Sequence, residues 1–135
     1  METTNLTPEL FRVCDANLNR LREGVRVVED ILRYCDNNKN LSSKLKNLRH
    51  KARIKESIQL LQNRDIINDV LRSTTKSELK RESIENIITA NFKRAEESAR
   101  VLEEIFKLYN NSYSENFKHI RYELYDLEKE IVLSR

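Results

Sequence analysis

A chain of 135 residues with one glycine, one proline and a charged fraction of 35% has the composition of packed helices, because sheets draw on more β-branched and aromatic side chains and long loops on more glycine and proline. Its net charge of +3, from 25 bases interleaved with 22 acids, excludes a dedicated polyanion-binding surface but leaves room for a small anionic ligand. The length suits one domain with a real core; no apolar run approaches the ~18 residues of a membrane span and the N-terminus lacks a charged-then-apolar signal, so a cytoplasmic protein is expected.

In chain order, Thr7 before Pro8 is an N-cap followed by proline at the first helical position, and predicts a first helix over 8–34. It stops in CDNNKN, residues 35–40, whose Asp and Asn side chains favour turns. A second helix is predicted over 41–61, with Leu41, Leu45, Leu48 and Ala52 at helical spacing and Arg49 on the flank. The irregular stretch 62–81 reads as a connector holding one short helix around Ile66, Ile67, Val70 and Leu71. A third helix starts between Thr75, where TKSE would make a capping box, and Ser83, and runs to about residue 109. Asn110 and Asn111 end it. The last helix, over 115–133, sets Phe117, Ile120, Leu124, Leu127 and Ile131 three and four apart, as a bundle seam does. Cys14 and Cys35 fall near opposite ends of the first helix, about 31 Å apart at 1.5 Å per residue, so they read as free thiols of a reducing compartment.

Two of these helices share a sequence. ANLNRLREGVRVVEDI at 16–31 returns as ANFKRAEESARVLEEI at 90–105 with eight of sixteen positions identical, and KNLRH at 46–50 is echoed by KHIRY at 118–122. The expected fold is therefore all-α and one domain over 1–135. Two duplicated helical hairpins, at about 8–61 and 82–133, form a four-helix bundle with approximate two-fold symmetry, joined by the connector at 62–81. On a helical wheel Asn17, Arg20 and Gly24 fall inside the apolar arc of the first helix, and Asn91, Arg94 and Ser98 inside that of the third. Two Asn/Arg pairs are thus expected to face the interior.

Interior arginines require partners, since a stranded charge costs several kcal/mol. Glu23, Glu29, Glu97 and Glu103 could supply them within the bundle. The functional alternative is that Arg20, Arg94, Arg49 and Arg121 converge with Asn17 and Asn91 on an anion, which the planar guanidinium fork suits. Gly24, costly in mid-helix, reads first as a close helix crossing and second as room for a ligand. Arg64, Asp65 and Asp69 form RDxxxD in the connector; carboxylates four apart can share Mg²⁺ with phosphate oxygens, against a local capping role for Asp65. His50, beside Arg49, could polarise a ligand or simply be solvated. There is no Cys/His metal site, Ser/His/Asp triad or glycine-rich phosphate loop.

REGVRVVEDILRY at 22–34, LRH at 48–50, RDIINDV at 64–70, ANFKRAEESARVLEE at 90–104 and IRYELYDLEK at 120–129 together resemble the alternative hydroxymethylpyrimidine phosphate kinase family of thiamine biosynthesis. That small helical domain is found alone or fused ahead of thiamine phosphate synthase. The resemblance spans nearly the whole chain in order. It departs at Leu71, where the family usually has glycine, and at Ser98, where alanine is common. It implies transfer of the γ-phosphoryl of ATP to 4-amino-5-hydroxymethyl-2-methylpyrimidine phosphate with Mg²⁺ as cofactor. Under that chemistry Arg94, Arg64 and Asp65 are the candidate catalytic residues, and Asn17, Arg20, Asn91, Arg49, His50 and Arg121 the candidate substrate ligands. Asp65 and Asp69 are the candidate metal ligands. The expected partners are the phosphorylated pyrimidine and ATP, then a second copy of the chain and thiamine phosphate synthase, with neither nucleic acid nor membrane. The competing expectation is a catalytically silent binding or scaffolding domain for the synthase.

Overall fold

The first helix begins where its cap requires. Thr7 Oγ1 accepts a hydrogen bond from the Leu10 N–H at 3.2 Å, Pro8 occupies the first turn, and α1 runs Pro8–Asp30. The computed structural model describes residues 6–75 and 80–135. α1 continues into one wide π turn, Ile31–Cys35, and then stops because Asn37 takes a left-handed conformation at φ 50°, a conformation asparagine tolerates better than most residues. The Asn38 N–H reaches back to the Leu32 carbonyl, while the Asn38 side chain caps the next helix by accepting from the Leu41 N–H at 3.0 Å. Two asparagines thus close one helix and open another.

α2 runs Lys39–Lys51 and α3 runs Ser57–Gln62. The single second helix expected over 41–61 is therefore broken at 52–56. The break is held by the last helix of the chain: Asn116 Nδ2 donates to the Lys51 carbonyl, the Lys55 N–H donates to the Tyr113 hydroxyl, and that hydroxyl donates to Glu56 Oε1 at 2.7 Å. Partners 57 to 65 residues away supply bonds that an unbroken helix would make for itself, which is why local spacing did not reveal the break.

No helix forms among the described residues of 63–83, so the short connector helix is also corrected. Ile66, Ile67, Val70 and Leu71, expected to be its apolar face, are all exposed. The TKSE capping box spans 75–78, and its last three residues lie outside the described residues. α4, Ile84–Phe106, uses the later of the two starts, with Ser83 Oγ accepting from the Asn86 N–H at 3.1 Å. After turns at 107–109, Asn110 caps α5, Asn111–Ser134, by accepting from the Tyr113 N–H at 3.1 Å.

α1 and α4 run antiparallel at the centre. Phe11 near the start of α1 meets Tyr109 beyond the end of α4, with ring centroids 6.4 Å apart, and Gly24 meets Asn91 and Ala95. α2 flanks α1, α5 flanks α4, and α2 also touches α5. One apolar core joins them, from Leu21, Val25, Val28 and Leu32 through Leu45 and Leu48 to Phe92, Leu102, Phe106 and the expected α5 seam of Phe117, Ile120, Leu124, Leu127 and Ile131. A Cβ added at Gly24 would sit 2.9 Å from the Asn91 carbonyl oxygen, closer than Cβ and oxygen can pack, so the only glycine marks the closest approach of the two central helices. Its counterpart Ser98 is small and buried.

Polar contacts repeat between the halves. Asn17 Nδ2 donates to the Val13 carbonyl at 2.9 Å and Asn91 Nδ2 to the Ile87 carbonyl at 2.8 Å. Glu29 of α1 holds Arg49 of α2, and Glu103 of α4 holds Arg121 of α5.

Candidate functional site

The four arginines expected to gather at one point divide into two kinds. Arg49 donates through Nε to Glu29 Oε1 at 2.8 Å and through Nη2 to Glu29 Oε2 at 3.3 Å, both side chains being buried. Arg121 donates twice to Glu103 Oε1, at 3.2 and 2.9 Å, once to the Tyr125 hydroxyl, and lies over the Tyr122 ring at 5.0 Å. These are internal ion pairs: the hydrogen bonds to Tyr125 and Glu103 hold the Arg121 charge, and the bond to Glu29 raises the pKa of Arg49. Arg20 and Arg94, by contrast, are exposed and make no ion pair among the described residues. The expectation that they face the interior is corrected: with Asn17 at zero, the buried residues centre near 50° while Arg20 falls near 300°, beside the equally exposed Val27, on the rim of the arc. Of the four glutamates considered, Glu29 and Glu103 serve as partners, and Glu23 and Glu97 stay exposed.

Arg20 does line a cleft. The first part of the connector folds over the N-terminal half of α1, enclosing about 670 Å³ among Arg12, Asp15, Asn17, Asn19, Arg20, Arg64, Asp65 and Asp69. Arg64 pins the connector there, donating through Nε to Asp15 Oδ2 at 2.7 Å and through Nη2 to Asp15 Oδ1 at 2.8 Å. Asp15 is itself buried, so this two-pronged pair is a strong anchor, and it raises the Arg64 pKa. Arg12 Nε adds a bond to the Asp65 carbonyl at 3.2 Å. The cleft thus brings together Asn17, Arg20, Arg64, Asp65 and Asp69 of the candidates read from sequence, and leaves out Asn91, Arg94, Arg49, His50 and Arg121.

Asp65 serves its local turn: Oδ1 accepts from the Ile67 and Asn68 N–H groups at 3.1 Å and Oδ2 from Asn68 Nδ2 at 2.6 Å. These bonds hold its pKa below the usual carboxylate range. Asp69 Oδ1 accepts from the Leu71 N–H at 3.0 Å. Among the described residues no three Asp, Glu, His or Cys side chains form a metal cage. The donor set fits a hard divalent ion in one way only: Asp65 and Asp69 each offer carboxylate lone pairs to an ion whose other ligands are phosphate oxygens and water, the usual condition of Mg²⁺.

Arg12, Asp15 and Asn19 were not singled out in the sequence, although their spacing of three and four on one side of helix one was a legible signal. The middle and end of α2 and a length of α5 border another groove of about 710 Å³, where Lys51 pairs with Glu123 and Lys44 with Glu130. A smaller opening of about 470 Å³ lies between α1 and α2, lined by Asn19, Arg22, Glu23, Arg26, Val27 and Arg49. Beside it the His50 pKa is lowered by partial desolvation and then by the charges of Arg49, Arg53 and Lys46.

A family model described as the ThiD2 family matches residues 12–130. The thiamine-phosphate synthase of Nostoc punctiforme is 38% identical over 124 residues, covering 91% of this chain and 35% of that protein. Synthases of the same name from Synechocystis sp. and Thermosynechococcus vestitus are 38% identical over 127 residues and 35% over 136, covering 93% and 96% of this chain and 37% and 39% of theirs. The chain therefore spans little more than a third of the length of these curated relatives. No solved structure matches it. Among the described residues no helix is long and apolar enough to cross a membrane.

Proposed function

The chain belongs to the ThiD2 family of thiamine biosynthesis, and from that premise we propose that it transfers the γ-phosphoryl group of ATP to 4-amino-5-hydroxymethyl-2-methylpyrimidine phosphate. The observation that carries the reading is the cleft under the connector, where Arg12, Arg20 and Arg64 stand among carboxylates and amides. Such a surface can hold a phosphate by its guanidinium groups and an aminopyrimidine by its hydrogen-bonding acceptors.

In the proposed reaction an oxygen of the pyrimidine's phosphate attacks the γ-phosphorus, the bond to the bridging oxygen breaks, and ADP leaves with the electron pair. The attacking oxygen is already largely anionic at neutral pH, with a second phosphate pKa near ~6, so the step asks for positioned cations rather than a strong base. Arg20 is exposed and forms no ion pair among the described residues; in this reading it takes the substrate phosphate, and Asn17 orients it. Arg64 keeps the connector closed over the cleft through Asp15. Mg²⁺, brought with ATP and held by Asp65 and Asp69, would neutralise charge on the transferring phosphates. Arg94 and Asn91, on α4 outside this cleft, are kept as proposed contacts from the facing helix.

The relatives named thiamine-phosphate synthase support a further part of the reading, in which the diphosphate made here passes to such a synthase, as a separate partner or on one longer chain. The test is ATP consumption by the purified protein with and without the pyrimidine phosphate. Consumption only in its presence, reduced at least about tenfold in Arg20→Ala, the loss of one charged hydrogen bond, is the expected result. No consumption under either condition would favour a non-catalytic binding or scaffolding domain.

A further inference from the structure

Asn19 lines both the cleft and the small opening between α1 and α2. Arg12, Asn19 and Arg26 are spaced seven apart and so lie on one side of α1, which puts the two openings about 10 Å apart, two helical turns along the same helix. Their charge balance differs. The cleft carries Arg12, Arg20 and Arg64 against Glu9, Asp15, Asp65 and Asp69, whereas the opening carries Arg22, Arg26 and Arg49 against Glu23 alone.

Arg26 reaches Asp30 at 3.3 Å and Arg49 holds Glu29. Among the described residues Arg22 forms no ion pair, nor does Arg53, which stands outside the lining but near enough for its charge to bear on Arg22, and the Arg22 Nε–H is shielded from water without an acceptor. A guanidinium N–H in that state has lost its water and gained nothing in return. Burial, then the like charges of Arg53 and Arg49, also make the charged form of Arg22 harder to hold. An arrangement unfavourable when empty becomes favourable when an anion bridges it, and a multiply charged anion gains most.

We propose that the opening between α1 and α2 is a polyphosphate subsite, with Arg22 as its anion-binding residue and the charge of Arg53 at its margin, and that it seats the phosphate chain of the nucleotide while the neighbouring cleft seats the phosphorylated pyrimidine. This rests on the kinase reading for the nature of the two substrates, and Asn19 becomes the residue at which they meet. The more acidic cleft, where Asp65 and Asp69 would meet only the terminal phosphate through Mg²⁺, suits a monophosphate that also carries an amino-substituted ring.

The test uses inorganic tripolyphosphate, which binds without reacting. Calorimetric titration at fixed ionic strength should show saturable binding that sulfate at matched ionic strength does not reproduce. Arg22→Gln should weaken it about tenfold, the loss of one charged hydrogen bond. Arg53→Gln should weaken it less, and because Arg53 is exposed this variant decides the matter if Arg22→Gln fails to fold. Arg20→Gln should leave tripolyphosphate binding unchanged while weakening binding of the pyrimidine phosphate. Unchanged tripolyphosphate affinity in Arg53→Gln together with a folded Arg22→Gln, or binding matched by sulfate, would overturn the subsite. The two readings fail separately: turnover with an unaltered KM for ATP in both variants removes the subsite and keeps the kinase, whereas Arg22-dependent tripolyphosphate binding without turnover keeps the subsite and removes the kinase.

Discussion

At the scale of single residues, charge placement separates side chains that hold the bundle from those available to a ligand. Removing Arg121 leaves the buried Glu103 carboxylate with Arg100 alone, 3.1 Å from its other oxygen, so Arg121→Ala should destabilise by about 1–3 kcal/mol, whereas Arg20→Ala should cost under about 0.5 kcal/mol. Urea titration of the two variants measures the contrast, and equal midpoints would contradict it. Glu96 makes a second case. It is buried against Glu128, with Lys93 bonded to both at 3.3 and 3.2 Å. Burial, then the hydrogen bond and charge of Glu128, push its pKa up to about 7 against the pull of Lys93. Between its ordinary 4.5 and about 7 the folded chain holds a proton that the unfolded chain has released, so stability falls as pH rises through that window. Glu96→Gln should remove the fall, melting a few degrees above the wild type past pH 7, a difference of about 1 kcal/mol, and converging with it near pH 5. Parallel pH profiles of melting temperature would show that this carboxyl is not the source.

At the scale of elements, the antiparallel contact of α1 and α4 depends on small residues where the backbones meet. Replacing glycine by alanine in mid-helix ordinarily stabilises by about 1 kcal/mol. In Gly24→Ala the new methyl would meet the Asn91 carbonyl oxygen at 2.9 Å, forcing the central helices apart. The expected net effect is a loss of about 1–3 kcal/mol, read as a lower melting temperature. Ser98→Ala, which adds no volume, should be neutral or slightly stabilising. A Gly24→Ala variant more stable than the wild type would mean that the crossing relaxes freely.

At the scale of the whole molecule, the described part of the connector is tied to α1 by one ion pair to the buried Asp15, with the bond from Arg12 to the Asp65 carbonyl beside it. Arg64 and Asp15 are 49 positions apart in sequence and joined by two hydrogen bonds of 2.7 and 2.8 Å, while the apolar side chains that follow, Ile66 to Leu71, bury nothing. Arg64→Ala should therefore release residues 63–75 to limited proteolysis several-fold faster while the far-ultraviolet helical signal and cooperative melting persist. It should also impair the cleft, since the same segment carries Asp65 and Asp69. Unchanged cleavage would mean that other contacts hold the segment in place.

The helical class, the caps at Thr7 and Ser83, the core spacing of α1, α4 and α5 and the resemblance to a family were all legible in the sequence, because each depends on residues within a turn or two of one another or on a motif kept in order; the last helix starts at Asn111, four residues before the expected start at 115, because Asn110 caps it rather than only ending the helix before. The likeness of the two halves was legible too, and the two arginines it matches, Arg49 and Arg121, each pair with a buried glutamate. What the sequence did not determine was where an amphipathic pattern ends. Asn17 and Gly24 are buried and Arg20 is not, although all three lie in one arc, because the width of the buried stripe is set by the neighbours packed on it. The break between α2 and α3 and the descent of the connector onto α1 were likewise decided by tertiary partners, Tyr113 and Asn116 in one case and Asp15 in the other. Backbone groups and charges take the best available partner wherever the fold brings one, and nothing in local spacing records how far along the chain that partner lies.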